Sequence, residues 1–313
     1  MRPLGVGDIL EGTFSVLRRY PGATLGSSAT VVGVVSSLQL LLVIPLVNQV
    51  SPVLDAAEAA DPDGVVAELE TVPWGALLAG GLVVALLSFG LFVMLSGLLS
   101  VVVGQAAIGA PLTFRQAWGR TFPRLPRLLG AVVLVALLVG SVWIITVAVW
   151  ALAAGVGASA GVFVVLGLLT ALGVVPLSVF LGVRVSLTTP AVALESTEAG
   201  PIGPTTGVRR SWALVRNAWW RTFGIVLLGG VIAGALAQVI AVPINLVLSA
   251  APLDLGVAIV GSTIAAGLGQ AVALPISGLV LALVYVDRRI RSEHLDVALA
   301  QAAGVELPVQ QTQ

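Results

Sequence analysis

The chain has 313 residues, 58% hydrophobic and 10% charged, with a formal net charge of zero. Soluble domains carry about 25% charged residues, so this composition, with a mean hydropathy of +1.08, argues against a water-soluble fold. Cysteine is absent and His294 is the sole histidine, which removes disulfides and thiolate chemistry and leaves almost nothing for histidine-based metal binding or acid/base work.

Residues 1–21 (MRPLGVGDILEGTFSVLRRYP) predict a short amphipathic helix. Asp8 is expected at its N-cap, with Glu11 completing a capping-box pair. Arg18 and Arg19 complement the dipole of the last turn, and Pro21 ends the helix. Residues 22–47 form the first spanning segment, since a hydrocarbon core needs ~20 apolar residues. Following a charged helix directly, this block is expected to act as an uncleaved signal anchor. Residues 48–73 predict a polar loop with Asp55, Glu58, Asp61, Asp63, Glu68 and Glu70 and no basic residue, in which Ser51-Pro52 is placed to start a short helix. Residues 74–104 are the second span, where Gly90, Gly97 and Gly104 repeat every seven residues as a face for close helix packing.

Residues 111–127 (PLTFRQAWGRTFPRLPR) hold Arg115, Arg120, Arg124 and Arg127 with no acid, and Thr113 with Gln116 forms a second capping box. Spans three and four follow at 128–154 and 160–183. Pro176 is expected to kink the fourth, and Arg184 at its end to snorkel to the interface. Residues 185–206 predict an irregular connector. The stretch 207–223 (GVRRSWALVRNAWWRTF), wound as one helix at about 100° per residue, gathers Val208, Trp212, Val215, Trp219 and Phe223 in one stripe. Arg210, Asn217 and Arg221 fall opposite, with Arg209 and Arg216 on a flank. That layout suits a helix lying in the membrane interface, guanidinium groups towards water. Spans five and six occupy 224–250 and 256–286, Gly230 and Gly234 making a GxxxG in the fifth. A charged helical extension and a polar tail close the chain.

All fifteen basic residues are arginine. They fall at the N-terminus, in 111–127, in 184–221 and after the sixth span, and nowhere in 48–73, 155–159 or 251–255. Six spans with this distribution place both termini in the cytoplasm by the positive-inside rule, in a multi-pass protein of the cell (inner) membrane. Laying Gly130 on Gly224 matches Arg115 with Arg209, Trp118 with Trp212 and Arg127 with Arg221. Laying Gly26 on Gly224 gives a poorer match. The expected architecture is therefore all-α, with six transmembrane helices in three parallel repeats of interfacial helix plus two spans. The repeats occupy 1–110, 111–187 and 188–291, and 292–313 is a cytoplasmic tail.

No ionisable residue lies inside a span away from its ends, so the usual marker of an intramembrane site is missing. The polar residues inside are Gln39, Gln105, Gln238, Asn245, Thr263 and Gln270. Gln238 and Gln270 lie in consecutive spans and are expected to face each other as interhelical glue. His294 beside Glu293 and Asp296 reads as a solvated face rather than a metal site. The arginine-aromatic clusters are the better lead. Arg115, Trp118, Arg120, Arg124 and Arg127, with Arg209, Arg210, Trp212, Arg216, Trp219, Trp220 and Arg221, have the charge count of a surface that recognises anionic lipid or a partner protein. The same arginines also satisfy the positive-inside rule by themselves.

Three pieces of the chain resemble a family of bacterial polytopic proteins labelled as the glycerophosphoryl diester phosphodiesterase membrane domain. They are the opening RPLGVGDILEGTFSVLRRYPG, the middle PAVALE (190–195) with RRSWALVRNAWWRTFGI, and the closing VYVDRRIRSE with Tyr285, Asp287, Arg289, Arg291 and Glu293. Where the family's last motif continues with a glycine, this chain has His294-Leu295-Asp296. The resemblance implies a membrane module, not the phosphodiesterase activity, which belongs to a separate soluble barrel with histidine and acidic metal ligands. The expected function is a non-enzymatic scaffold or accessory subunit, without cofactor, metal or nucleic acid, using its arginine-aromatic helices to contact anionic lipid and a membrane or cytoplasmic partner. The alternative is a transporter or flippase-like carrier of an uncharged or lipidic substrate, suggested by Pro176, Pro243 and Pro275 breaking three spans.

Overall fold

In the computed structural model the chain is described over residues 5–58, 74–107, 113–197, 200–251 and 253–293, and nearly all of these are helical. Helix α1 (Val6–Arg19) leads through a π turn (Gly22–Gly26) into α2 (Ser27–Glu58), and α3 is Trp74–Ala107. Helix α4 (Phe114–Thr121) and a 3-10 turn (Phe122–Arg124) precede α5 (Leu125–Gly155). Next come α6 (Ala160–Leu169), a π turn (Thr170–Val174), α7 (Val175–Val185) and the short α8 (Thr188–Leu194). Strands β1 (Ser196–Thr197) and β2 (Gly200–Pro201) pair antiparallel, with Ser196 opposite Pro201. Helices α9 (Pro204–Arg216), α10 (Trp219–Ala250) and α11 (Leu255–Glu293) complete the order. Five helical stretches are long and apolar enough to cross a membrane: Gly22–Leu42, Phe114–Gly155, Ala160–Leu194, Trp219–Ala250 and Gly256–Ser292. The chain is thus a helical, multi-pass membrane protein.

Several local expectations change. Asp8 is not the N-cap of α1. Gly5 holds that place, and Asp8 sits at the third helical position, its Oδ2 accepting from the Gly5 N–H at 2.7 Å. A carboxylate there satisfies an orphan donor as well as a cap does. The chain is helical at Ser51-Pro52 as expected, but as the continuation of α2 through Glu58, with Pro45 and Pro52 inside it, rather than as a separate short helix within a loop from residue 48. The acidic residues 61–70 of that loop lie outside the described residues, as do His294 and the tail 294–313. The capping box at α4 forms as read: Gln116 N–H donates to Thr113 Oγ1 at 3.4 Å and Thr113 N–H to Gln116 Oε1 at 3.1 Å.

Pro176 perturbs its span through the π turn just before it. Proline has no N–H for the carbonyl four residues back and its ring crowds that carbonyl, so the helix widens by one residue there. Pro243 and Pro275, by contrast, sit inside continuous helices, so they break no span. Helix α3 runs unbroken past Gly104. The connector 185–206 is not irregular: it holds α8, four of whose residues from Pro190 to Ala193 are buried.

The largest buried cluster lies at the arginine-bearing end, where Ile9, Leu128, Leu187, Val192, Val215, Val284 and Tyr285 meet. In hydrocarbon, apolar side chains gain nothing by leaving lipid for protein. Midway along α5 and through α6 they stay outside, with Leu137, Ile144, Leu152 and Leu168 all more than half exposed. Helices α10 and α11 approach closely instead through small residues. A Cβ on Gly269 would stand 2.7 Å from the Ala237 carbonyl oxygen, so the backbones touch. The face of α10 that meets α11 carries Gly229 and Ala233, both buried, rather than Gly230 and Gly234, which face open space.

Candidate functional site

Two carboxylates organise the arginine-bearing end. Glu195, just after α8, accepts from Arg210 Nε of α9 at 2.8 and 3.1 Å and from the Tyr285 hydroxyl of α11. Arg289 Nε lies 3.7 Å from the same carboxylate. Asp287, one turn into the polar end of α11, has a side chain only 1% exposed. It takes Arg291 Nε at 2.9 Å and Arg221 Nη2 of α10 at 3.2 Å. Burial of an acid at this depth requires such paired cations, since an unpaired carboxylate would lose its hydration without return. Between them Arg288 Nε donates to the Leu214 carbonyl at 3.0 Å, fixing α9 on α11.

Helix α9 lies against α8 rather than free on a bilayer surface. Its buried face is Gly207, Ser211, Leu214 and Val215, which shares Val215 with the expected stripe but leaves Val208 half-buried and Trp212 exposed. The small residues decide this. A Cβ on Gly207 would overlap Val192 Cγ2, so only glycine lets the two helices meet. Ser211 Oγ then accepts from Leu187 N–H at 3.1 Å and donates to the Arg184 carbonyl at 2.8 Å, using both of its hydrogen-bonding functions on the turn after α7. Nor is 207–223 one helix: α9 ends at Arg216, and Ala218, at φ −143° and ψ 32°, separates it from α10. Trp219 and Phe223 therefore belong to the spanning helix, where their rings stack at 5.1 Å.

The sequence-derived site residues divide into two groups. Arg210 and Arg221 were expected to face water, but they face Glu195 and Asp287. The expectation failed because both acids come from elsewhere in the chain. Arg124 donates to the Ala193 carbonyl. Trp118 Nε1 donates to Ser27 Oγ at 3.1 Å, and Trp219 Nε1 to the Phe180 carbonyl at 3.3 Å. These five side chains tie segments together. Arg115, Arg120, Arg127, Arg209 and Arg216 are exposed, and among the described residues none of them pairs with a carboxylate. Trp220 is 77% exposed. Trp212 lies between the groups, 36% exposed and with the Arg184 guanidinium over its ring at 4.9 Å.

Arg184 does not simply snorkel. Its guanidinium stands 5.0 Å from the Phe180 ring and 4.9 Å from the Trp212 ring, with Nε and Nη1 buried and without a hydrogen-bond partner. The ring faces supply negative potential in place of an acid. A groove of about 310 Å³ beside Trp212 is lined by Val208, Arg209, Ala213 and Arg216.

Glu195, Ser211, Tyr285, Asp287 and Arg288 stood outside the predicted site. Periodicity and charge counting cannot find them, because each works through a partner distant in sequence. The signal was present in the motif pieces: Glu195 closes PAVALE, while Tyr285, Asp287, Arg289 and Arg291 stand in VYVDRRIRSE. No family model, curated protein or solved structure matches this chain.

Proposed function

We propose that this protein is a six-span, non-enzymatic scaffold or accessory subunit of the cell membrane that grips anionic lipid headgroups, and through them or beside them a partner, on a cytoplasmic arginine-tryptophan face. The observation that carries this reading is the division of the arginines. Arg210, Arg221, Arg289 and Arg291 engage Glu195 and Asp287, while Arg115, Arg120, Arg127, Arg209 and Arg216 are left exposed, Arg209 and Arg216 beside Trp212. The first set builds a rigid base, and the second is free for a phosphate. Each arginine near an anionic leaflet contributes about 1 kcal/mol, and tryptophan settles at headgroup depth. The groove between Arg209 and Arg216 has the size of a headgroup.

Supporting the sixth span, α3 is 34 residues long, about 51 Å at 1.5 Å per residue. Supporting the threefold repeat, each arginine-bearing helix ends at the same place in the registers that lay Gly26 and Gly130 on Gly224. Those ends are Tyr20 after α1, the 3-10 turn Phe122–Arg124 after α4, and Asn217–Ala218 after α9. Supporting the resemblance to the glycerophosphoryl diester phosphodiesterase membrane domain, residues of all three motif pieces, from Ile9 to Val192 to Tyr285, share one core.

The test is lipid retention. Protein purified in mild detergent and analysed by native mass spectrometry should keep phosphatidylglycerol over phosphatidylcholine, and Arg209→Gln with Arg216→Gln should erase the preference. Equal retention of both lipids by the unaltered protein would sink the reading.

A further inference from the structure

Uncharged polar side chains from four helices converge on one cavity between α2, α3, α10 and α11. Its volume is about 970 Å³, and Gln39, Ser88, Asn245, Thr263 and Gln270 supply most of its polar lining. Four of the six intramembrane polar residues visible in the sequence thus share one space. Gln238 is not among them: it lies on the exposed surface of α10, so the expected pairing with Gln270 does not form. Gln270 stands midway along α11 between Leu255 and Tyr285, about 22 Å from either at 1.5 Å per residue. Asn245 and Ser262 place the rest of the cavity towards the end that carries no arginine.

Hydrogen-bond accounting points to a ligand. Thr263 Oγ1 is spent on the Ile259 carbonyl at 2.9 Å. Ser88 Oγ is buried without a partner. Among the described residues the carboxamides of Gln39, Asn245 and Gln270 make no hydrogen bond within the protein. Each carboxamide offers two N–H donors and an oxygen with two lone pairs. At membrane depth such groups are costly unless satisfied, and a protein has little reason to hold three of them around one space for packing alone.

Among the described residues the lining contains no ionisable side chain, so a charged head would lose its hydration without finding a counter-charge. Val35, Phe92 and Leu274 complete the wall, and Phe92 is half exposed, leaving an apolar rim open to lipid. A site of this size lies near the top of the range of about 300–1,000 Å³ that small ligands occupy. That accommodates a head and the first part of its chains, the remainder staying in the bilayer. We propose that the cavity binds an uncharged amphiphile of the diacylglycerol type, its hydroxyl and ester carbonyls meeting the three carboxamides and its acyl chains leaving past Phe92. This site is separate from the arginine face and does not depend on what that face binds.

The experiment is photo-crosslinking of the full chain in phosphatidylcholine nanodiscs with a photoreactive diacylglycerol. Label should map to peptides of α2 and α11. Unlabelled diacylglycerol should compete at least about tenfold better than phosphatidic acid with the same chains, a contrast that needs no variant. Losing a hydrogen bond weakens binding by about fivefold, so Asn245→Leu with Gln270→Leu should cut labelling by more than about tenfold. Ala266→Trp, which fills the cavity from an exposed position, should abolish it while the thermal unfolding midpoint holds. Equal competition by phosphatidic acid, or label on the cavity peptides that survives both variants, overturns the proposal.

Discussion

Glu195 and Tyr285 stand 90 residues apart in sequence and share a hydrogen bond at the arginine-bearing end. Glu195 also holds Arg210, so one carboxylate joins the end of α8, the middle of α9 and the last span. Such a contact has two partners on α9 and α11 that cannot both be replaced by water, because Tyr285 is only 1% exposed.

Tyr285→Phe should therefore lower stability by about 1–2 kcal/mol, the cost of leaving one hydrogen bond of a charged acceptor unmade. Glu195→Ala should cost more, since it strands both the phenol and Arg210. Thermal unfolding in detergent, followed for both variants, checks the order. If Tyr285→Phe proves the more damaging, the hub is not Glu195.

Asp287 makes the sharper case. Removing one partner of a buried ion pair typically costs about 3–5 kcal/mol, and here Asp287→Ala leaves Arg221 and Arg291 facing each other across a vacated acid. Replacing Arg221 by Met at the same time removes one of the stranded cations, so the double variant should recover part of the loss. A double-mutant cycle that comes out additive would show that the 3.2 Å contact carries no coupling.

What the sequence revealed of this end follows from how each feature is encoded. Spans are local, since a run of about 20 apolar residues needs no partner to declare itself, and each of the five stretches able to cross a membrane overlaps an expected span, the one expected at 74–104 not being among them. The capping box at Thr113 and Gln116 is local too. The face of α9 is not. Val208, Trp212 and Val215 look like its apolar stripe, but of these only Val215 is buried, and the helix turns Gly207 and Ser211 inward beside it, because contact with Val192 and Leu187 outweighs the amphipathic pattern. Arg210 and Arg221 were read as water-facing for the same reason: their acids stand beyond any helical window. Small residues and single acids carry the tertiary information here, and periodicity weighs neither.

Gly207 and Ser211 give a test of that statement. Ser211→Ala removes a hydroxyl that serves both Leu187 N–H and the Arg184 carbonyl, at an expected cost of about 1–3 kcal/mol for the buried N–H left unsatisfied. Gly207→Val forces α9 off α8 and should be worse, with loss of folded yield. Val208→Ala, half-buried on the expected stripe and outside the buried face, should cost clearly less than either, about 1 kcal/mol or below. Expression and detergent stability of the three variants decide between the two faces.

The orientation of the whole molecule is open to an equally direct measurement, because the chain contains no cysteine and any single cysteine introduced is unique. Arg209 and Arg216 lie on the exposed side of α9, and Asp254, exposed at the opposite end of α11, caps that helix by accepting from Gly256 N–H at 2.8 Å. The positive-inside rule puts the two arginines in the cytoplasm and Asp254 outside. In intact cells a membrane-impermeant thiol reagent should label Asp254→Cys at once. It should reach Arg209→Cys and Arg216→Cys only after the membrane is opened. Labelling of Arg216→Cys in intact cells would invert the topology and move the arginine-tryptophan face away from the cytoplasmic leaflet, and with it the lipid whose headgroup that face is proposed to hold.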